Sequence, residues 1–464
     1  MVEFNDSINR RDLLSHPTVR ACLRDHGEIP CEDNWSSIEK ALYGADAYRL
    51  RETEAEAFRF AAIQTSFAYH IAHNVFYRRF CTAAGVSPDD LKDPEDLVKL
   101  PLVPEHFFKG SPGPEEFIQW LASISSDEIL WPVHEAPRGS YDEQIEVLRR
   151  RYGIQVRSTS GSSGIPSFLP RDAVTRRRSA HWKILTYFAM YPELLEVPSV
   201  VSITLWPLEF SWADLIVPQE RVYALLDKKL GLKTVIRAMT VPMPRRFLAQ
   251  ILGLKARNDS AELLKQLVDQ MRDLVASSEA GVLWTPPFLI FSIARFLDER
   301  GLKIDFGEHW RVELGGGWKL LNQEPLSPAE LRVLVSRTFG IPPDHIYDIY
   351  GSTECLGLCA LSCEGGYLHI PCSVLHPFVL DDEMKPVGEG KWGRFAYLNP
   401  LIQSYPGFIV TEDRVRMLRS CTVCGRAGPV LDGQISRIEG ADERGCANIV
   451  RQVLADSYPQ SSRV

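Results

Sequence analysis

The sequence predicts an α/β fold of mixed sheets, preceded by a helical region and ending in a β-rich subdomain. Between Glu54 and His73, apolar residues recur every three or four positions, which predicts a helix within a helical region covering residues 1–95. From about residue 150, short β-rich runs alternate with helical segments, as in an α/β core. Glycine turns and alternating residues then dominate residues 360–420, which predicts the β-rich subdomain.

Individual segments support this fold class in chain order. Ser87-Pro-Asp-Asp-Leu91 has the acidic first turn of a helix opening. The patterns further predict crossover helices over 261–277 and 327–339 and strands over 199–205, 280–284 and 393–399. We therefore divide the chain into three regions. Residues 1–95 form a helical region, residues 96–432 form the core, with its β-rich subdomain near 360–432, and residues 433–464 form a short C-terminal remnant.

Composition excludes several classes of protein. The net charge of −8 and the lack of a long basic run argue against a nucleic-acid partner. The most apolar segment, 282–297, is interrupted by Pro286, Pro287 and Arg295, so no membrane insertion is expected. A polar start and ten cysteines without an export signal favour reduced thiols or metal ligands over a disulfide framework, and we expect a cytoplasmic protein.

A run of small hydroxyl residues, Ser158-Thr-Ser-Gly-Ser-Ser-Gly-Ile-Pro166, is the first candidate binding element. Glycine lets backbone N–H groups approach an anion, and serine hydroxyls add donors, so this loop is suited to a polyphosphate. It lacks the ending of a Walker loop. A flexible connector is the alternative. The candidate phosphate ligands are Ser160, Gly161, Ser162, Ser163 and Gly164.

Together with Tyr350-Gly351-Ser352-Thr353-Glu354, this loop resembles the adenylate-forming superfamily, which activates carboxylic acids with ATP. The resemblance covers most of the chain and implies the N-terminal domain of that fold with a truncated C-terminal domain. Within the superfamily the chain is most similar to the acyl-protein synthetases of bacterial bioluminescence. Three segments carry this similarity: 100–109, 314–319 and 444–447.

The resemblance implies a nucleotide site around the second motif. In it Tyr350 stacks on adenine, Thr353 donates to the α-phosphate and Glu354 binds Mg²⁺, with Gly351 and Ser352 completing the motif. Asp413 takes both ribose hydroxyls, and Arg437 contacts ribose or phosphate. Gly315, Gly316 and Gly317 form the adenine platform, for which a plain glycine turn is the alternative.

The source of catalytic positive charge departs from the family pattern. Ser167 stands where the phosphate loop often carries lysine, and no lysine follows Lys391, whereas typical relatives bring one on a mobile C-terminal domain. We expect Lys109 or Lys319 to supply this charge. The alternative is that both are exposed lysines without a special role.

Cys446 is the candidate acyl acceptor. In acyl-protein synthetases a cysteine near the chain end receives the acyl group and passes it to a partner reductase. A thiolate suits this task because it attacks mixed anhydrides and leaves readily, and Arg444 favours the ionised form. Packing against the apolar segment 447–454 is the alternative.

A second group of cysteines points to zinc. Cys421 and Cys424 are separated by two residues, a spacing that lets both sulfurs face one ion. Cys363 and His369 fit best as the remaining ligands and resemble a pattern in aryl-CoA ligase relatives with a structural zinc. Cys355, Cys359 and Cys372 compete for this role. Inert or redox-active thiols are the alternative.

The sequence thus predicts an enzyme that converts a carboxylic acid and ATP into acyl-AMP and pyrophosphate, using Mg²⁺. The acid is expected to be a fatty acid, and segments 204–212 and 284–291 are apolar enough to line its pocket, although core packing explains them nearly as well. Acyl transfer to Cys446 and then to a protein is favoured. The alternatives are transfer to coenzyme A or a carrier protein, and a non-catalytic, zinc-stapled nucleotide-binding scaffold.

Overall fold

The computed structural model describes residues 8–109, 112–126, 139–158, 167–197, 200–204, 213–217, 219–225, 260–315 and 327–438. The chain divides into two compact units. The first comprises Met1–Thr159, Pro166–Leu195 and Tyr350–Ala441, and the second Ser160–Ile165, Glu196–Ile349 and Asp442–Val464. The domain boundaries predicted from the sequence stay predictions.

The first unit begins with helices, as the sequence predicts. Its longest N-terminal helix covers the predicted segment and buries the apolar positions Ala55, Ala62, Ile63 and Phe67. The helices of this unit are α1 (Arg10–Ser15), α2 (Pro17–Arg24), α3 (Ser37–Glu39, followed by a π turn at Lys40–Gly44), α4 (Glu52–His73), α5 (Val75–Ala84), α6 (Phe117–Ile124), α7 (Tyr141–Tyr152) and α8 (Ala173–Met190).

One predicted helix opening is wrong. The capping contacts at Ser87 are present, because Asp90 accepts from both its backbone N–H and its hydroxyl. The segment nevertheless makes only a 3₁₀ turn, Pro88–Asp90, and a second 3₁₀ turn, Pro94–Lys99, follows it. A cap without a following run of core-facing apolar residues does not propagate a helix.

The strands of the first unit centre on one long strand. They are β1 (Val103–Pro104), β2 (Gln155–Ser158), β3 (Phe168–Arg171), β9 (Ala360–Ser362), β10 (Leu368–His369), β11 (His376–Leu380), β12 (Trp392–Leu398), β13 (Phe408–Leu418), β14 (Val430–Leu431) and β15 (Ser436–Arg437). β12, β14 and β15 pair with β13 in antiparallel fashion, and β1 pairs with it in parallel. This confirms the predicted β-rich part and its strand over 393–399.

β2 and β3 form a separate antiparallel hairpin in which Ser158 lies opposite Phe168. The predicted phosphate loop connects these two strands. A two-stranded hairpin is marginal alone, and this one is fixed from both sides: α7 leads into it through Gly153 in the left-handed conformation, and α8 follows directly.

The second unit is a parallel sheet covered by helices. Its strands are β4 (Val201–Thr204), β5 (Val222–Ala224), β6 (Gly281–Thr285), β7 (Trp310–Gly315) and β8 (Ile346–Tyr350), in the order β5-β4-β6-β7-β8. The helices are α9 (Ala213–Ile216), α10 (Ser260–Ala276), α11 (Pro287–Asp298) and α12 (Pro328–Phe339). The predicted strands and crossover helices are confirmed, and the mixed α/β class with them.

The apolar core of the second unit lies between the sheet and its helices. Ile203, Leu283 and Val312 from neighbouring strands pack in one buried cluster with Leu267 and Leu331 of the helices. Within the described residues, we find no helix that combines the length and the apolar character of a membrane span.

Candidate functional site

A bulge in β13 shapes the candidate site in the first unit. Arg394 of β12 lies opposite Arg414, but Ala396 lies opposite Val410, so residues 411–413 face a single residue of β12. Successive side chains normally point to opposite faces of a strand, and a bulge redirects them. Here Glu412 and Asp413 are neighbours in sequence and nevertheless both contact Arg437.

The parallel pairing of β1 with β13 brings a second segment to this bulge. Val103 lies opposite Ile409, and the chain then makes a 3₁₀ turn over Glu105–Phe108 that ends at Lys109. The backbone of Lys109 forms an isolated antiparallel β-bridge with Ser167, the first described residue after the predicted phosphate loop. Segments distant in sequence thus meet at Lys109.

Two basic side chains are held among carboxylates at this meeting point. Lys109 Nζ lies 3.2 Å from Glu412 Oε2 and 3.6 Å from Glu105 Oε1. Arg437 Nη1 lies 3.5 Å from Glu105 Oε2, and its Nε lies 3.4 Å from Asp413 Oδ1. Because these groups are largely buried, their charges interact in a medium less polar than water.

Glu354 adds another carboxylate to this cluster. Its side chain is 2% exposed, and its Oε1 accepts no hydrogen bond from the described residues. Burial, reinforced by the negative charge of Glu105, raises the pKa of Glu354 to about 7, and a backbone hydrogen bond, a hydrogen bond with Ser167 and the charge of Lys109 oppose this effect. A buried carboxylate oxygen without a hydrogen bond, such as Oε1, is the kind of atom that a cation stabilises.

The motif that contains Glu354 forms a tight reversal of the chain. The N–H groups of Cys355 and Gly357 donate to the Ser352 carbonyl, and Cys359 N–H donates to Tyr350 O. Leu356 has a positive φ of 58°, an uncommon conformation for a non-glycine residue. A Cβ at position 351 would lie 2.5 Å from Gly357 O, so the close approach of the two segments requires Gly351.

Two nucleotide-site residues predicted from the resemblance are joined directly. The Tyr350 hydroxyl donates to Asp413 Oδ2 over 2.9 Å, and burial raises the pKa of Tyr350 well above its ordinary value. The tyrosine ring packs edge-on against Phe395, with the ring centroids 5.5 Å apart. Asp413 Oδ1 accepts no hydrogen bond within the described part of the chain.

The predicted zinc ligands also converge in the first unit. The ligand atoms of Cys363, His369, Cys421 and Cys424 lie within 4.8 Å of one another, and all four residues are buried. The sulfurs of Cys363 and Cys421 are 3.8 Å apart, and Cys424 Sγ is 3.1 Å from His369 Nε2. Ligands of a tetrahedral zinc ion with Zn–S bonds of about 2.3 Å would be separated by about 3.8 Å.

The surroundings of this cluster favour the negatively charged, thiolate form of Cys424. A hydrogen bond from Cys363 is the main cause that lowers the pKa of Cys424. Arg426 contacts Cys424 and donates through Nη2 to Met190 O over 3.0 Å. The Tyr48 ring stands edge-on to His369 with centroids 6.0 Å apart, and Tyr48 O accepts from Ala427 N–H. The cluster therefore links the N-terminal region to the β-rich part.

Several predicted site residues fall outside the described residues. Of the predicted adenine platform, the structure describes Gly315, which ends β7 with open space at its Cβ position. The predicted site residues that lie outside the described residues are Ser160, Gly161, Ser162, Ser163 and Gly164 of the predicted phosphate loop, Gly316 and Gly317 of the predicted platform, Lys319, and Cys446.

Two segments are predicted to line an acyl pocket, and of these 205–212 lie outside the described residues. Phe288, Leu289, Ile290 and Phe291 lie in α11 and belong to the buried core of the second unit. Packing between helix and sheet, the alternative raised by the sequence, accounts for their apolar character. The adjoining Trp284 donates through Nε1 to Ser202 Oγ over 2.7 Å, which ties β6 to β4.

Sequence reasoning missed two residues of the carboxylate cluster. Glu105 stands four residues before Lys109, and Glu412 directly precedes Asp413. A glutamate four residues before a lysine is a recognisable charge pattern. Nothing local indicates that the pair meets β13, because this requires the parallel pairing of β1.

Comparisons with known proteins find a matching family model and two similar bacterial ligases. The family model described as "Acyl-protein synthetase, LuxE" matches residues 251–455. A long-chain-fatty-acid–luciferin-component ligase of Aliivibrio fischeri is 25% identical over 91% of this chain and 96% of its own length. The ligase of the same name from Vibrio harveyi is 22% identical over 84% and 87%, respectively.

Solved structures confirm the fold. 2-Hydroxyisobutyryl-CoA ligase in an open conformation aligns with a TM-score of 0.56 and 17% identity, over 90% of this chain and 81% of the other. In its thioesterification state the TM-score is 0.57 with 18% identity, over 90% and 74%. The family model and the two bacterial relatives confirm the resemblance predicted from the motifs. The chain has the adenylate-forming fold and is similar to the acyl-protein synthetases.

Proposed function

We propose that this ligase activates a fatty acid with ATP and transfers the acyl group to a thiol, with Cys446 as the acceptor and a partner protein as the final destination. The observation that carries the proposal is the convergence of Lys109, Glu354, Asp413 and Arg437 in one buried cluster of the first unit. The names of the two bacterial relatives support a long-chain acid as the substrate.

In the proposed reaction, a carboxylate oxygen of the acid attacks the α-phosphorus of ATP and pyrophosphate leaves. Asp413 is suited to hold the ribose, since its Oδ1 accepts no hydrogen bond from the described residues and a carboxylate accepts from hydroxyls. Thr353, whose side chain is partly exposed, would donate to the α-phosphate. The loop over 160–164 would bind the departing phosphates.

Glu354 is the proposed ligand of Mg²⁺. Its buried Oε1, which accepts no hydrogen bond from the described residues, fits a hard cation that prefers oxygen ligands. When bound, the ion would neutralise phosphate charge. With Glu354 ionised, Glu105, Glu354, Glu412 and Asp413 carry two more charges than the cations Lys109 and Arg437, and a divalent cation would offset this excess.

Lys109 is proposed to supply the positive charge that stabilises the transition state of adenylation. The side chain is 8% exposed and restrained by two carboxylates, and its backbone adjoins the end of the phosphate loop. A charge held in place before the reaction stabilises a developing anion without further reorganisation.

In the second step, the Cys446 thiolate would attack the acyl carbonyl, form a thioester and release AMP. Coenzyme A or a carrier-protein thiol is the alternative acceptor. We further propose that Cys363, His369, Cys421 and Cys424 hold a structural Zn²⁺, since a Cys₃His set closes all four positions of a tetrahedral ion.

The first experiment is acid-dependent exchange of labelled pyrophosphate into ATP with fatty acids of different lengths. Exchange that depends on acid, ATP and Mg²⁺ supports adenylation. If no acid supports exchange, the alternative of a non-catalytic nucleotide-binding scaffold is favoured.

Intact-protein mass spectrometry then identifies the acceptor. With ATP and acid, we expect a hydroxylamine-labile acyl adduct in the wild type and in Cys31→Ser, whose cysteine is exposed, and none in Cys446→Ser. An adduct that persists in Cys446→Ser rejects this acceptor. Acyl-CoA formed in place of a protein adduct would identify coenzyme A as the acyl acceptor.

A further inference from the structure

We infer that Arg171 and Tyr405 are positioning residues that fix the backbone of Thr353 and Glu354, the catalytic pair of the proposed adenylation. This inference rests on the proposed function. It adds two side chains that touch neither nucleotide nor acid and act through the main chain of the motif.

Arg171 lies at the end of β3, the strand that leaves the phosphate loop. Its side chain is 5% exposed, and its Nη2 donates to the Thr353 carbonyl over 2.8 Å. A hydrogen bond from a charged donor in a buried position is stronger than a neutral one. The hairpin that carries the phosphate loop is thus fastened to the segment that carries Thr353.

Tyr405 holds the next carbonyl. It is fully buried, and its hydroxyl donates to Glu354 O over 3.2 Å. The same hydroxyl is hydrogen-bonded to Arg171. Its ring packs edge-on against Phe108, the residue before Lys109, with centroids 5.3 Å apart. One connected group therefore restrains both carbonyls and adjoins the Lys109 segment.

The motif needs such support because its own geometry is strained. Leu356 has a positive φ, and the Thr353 carbonyl also accepts from Leu356 N–H over a longer distance, 3.2 Å. Released from Arg171, the turn would relax, and Thr353 and Glu354 would lose the alignment that the transition state requires.

The test compares Arg171→Met, Arg171→Lys and Tyr405→Phe with Arg59→Met. Arg59 is a matched control, because it is 2% exposed and donates through Nη1 to Cys372 O over 2.7 Å, remote in sequence from the motif. In pyrophosphate exchange we expect kcat of Arg171→Met to fall about tenfold or more, with the KM for ATP changed less than about threefold. Arg171→Lys should show a kcat between those of Arg171→Met and the wild type, and Arg59→Met should keep the wild-type kcat.

Amide hydrogen exchange provides a readout that does not depend on activity. The N–H groups of Cys355, Leu356 and Gly357 should exchange faster in Arg171→Met than in Arg59→Met. If Arg171→Met is unfolded, Tyr405→Phe is the deciding variant, since it removes one oxygen and keeps the ring.

The two proposals fail in different ways. A wild type without exchange activity rejects the proposed function, and hydrogen exchange then decides whether Arg171 restrains the motif. Variants of Arg171 and Tyr405 that match Arg59→Met in both kcat and amide protection overturn the positioning role.

Discussion

Tyr350 donates a hydrogen bond to Asp413 Oδ2 over 2.9 Å, although 63 positions separate the two residues in the chain. The contact joins the motif at the end of β8 to the bulge of β13. It turns Asp413 so that the opposite oxygen, Oδ1, lies 3.4 Å from Arg437 Nε. The carboxylate is thereby oriented before any ligand arrives.

Tyr350→Phe should weaken ATP binding by about two- to tenfold, the usual effect of one lost hydrogen bond. The ring, which we propose stacks on adenine, remains in this variant, so binding should weaken without being abolished. Calorimetric titration with ATP and Mg²⁺ measures this change. The control is Tyr191→Phe, which removes a buried hydrogen bond of 2.8 Å to Ser362 O. Equal affinities in the two variants would contradict the orienting role.

Lys109→Met should lower kcat for pyrophosphate exchange about a hundredfold, since a lost preorganised charge costs about 10²–10³ in rate. The KM for ATP should change little. Lys99→Met is the control, because Lys99 is an exposed lysine paired with Asp96.

Removing Lys109 also leaves Glu105 and Glu412 without this cation, which can destabilise the fold. The double variant Lys109→Met/Glu105→Gln removes one of these charges as well. We expect the double variant to regain thermal stability without regaining kcat. Recovery of kcat together with stability would show that Lys109 acts only through folding.

His70 predicts how stability depends on pH. Burial lowers the pKa of His70 to about 4, while its Nε2–H donates to Ile402 O and its Nδ1 accepts from Ser126. The unfolded chain, with a histidine pKa of about 6.5, binds the proton first, so stability falls as pH drops from about 6.5 to about 4. The loss is on the order of 3 kcal/mol.

Urea unfolding between pH 7 and pH 4 measures this effect. His70→Gln should be less stable at pH 7 and show a smaller loss of unfolding free energy on acidification. His309→Gln, at an exposed position, should keep the wild-type pH dependence. If the unfolding free energy of His70→Gln fell with pH as steeply as that of the wild type, the acid sensitivity would belong to other groups.

Cys424→Ser should reduce bound zinc from about one ion per chain to well below it, because a closed four-coordinate site loses a ligand. Cys372→Ser is the matched control. Cys372 is also buried, but its Sγ contacts Ala47 O and lies outside the group of four ligand atoms. Metal analysis of both purified variants decides the point, and equal zinc contents in the two would reject the site.

Gly351→Ala should lower exchange activity strongly, since its Cβ would lie 2.5 Å from Gly357 O and force the motif apart. Gly113→Ala is the control, because it has no atom within 4 Å of the added Cβ. Activity measured at equal concentrations of folded protein checks this. Full activity of Gly351→Ala would show that the reversal tolerates the displacement.

Much of the fold could be predicted because its signals are local. The apolar spacing of α4 follows from burying one helix face. Ser327 and Glu330 form the capping box that begins α12, and Gly340 ends it in the left-handed conformation. The convergence of the proposed zinc ligands was predictable in part for the same reason, since the spacing of Cys421 and Cys424 indicates a shared ion.

The sequence by itself determined the fold class, the helix and strand positions and the motif residues, because period, caps and turn residues act over a few positions. Only the tertiary structure decided that Glu105, Lys109 and Glu412 share a cluster with Arg437, and that Arg171 holds Thr353. These contacts depend on β1 pairing with β13 and on a bulge that redirects two neighbouring side chains. Strand partners and bulges are selected by the packing of the whole unit, which a local pattern does not encode.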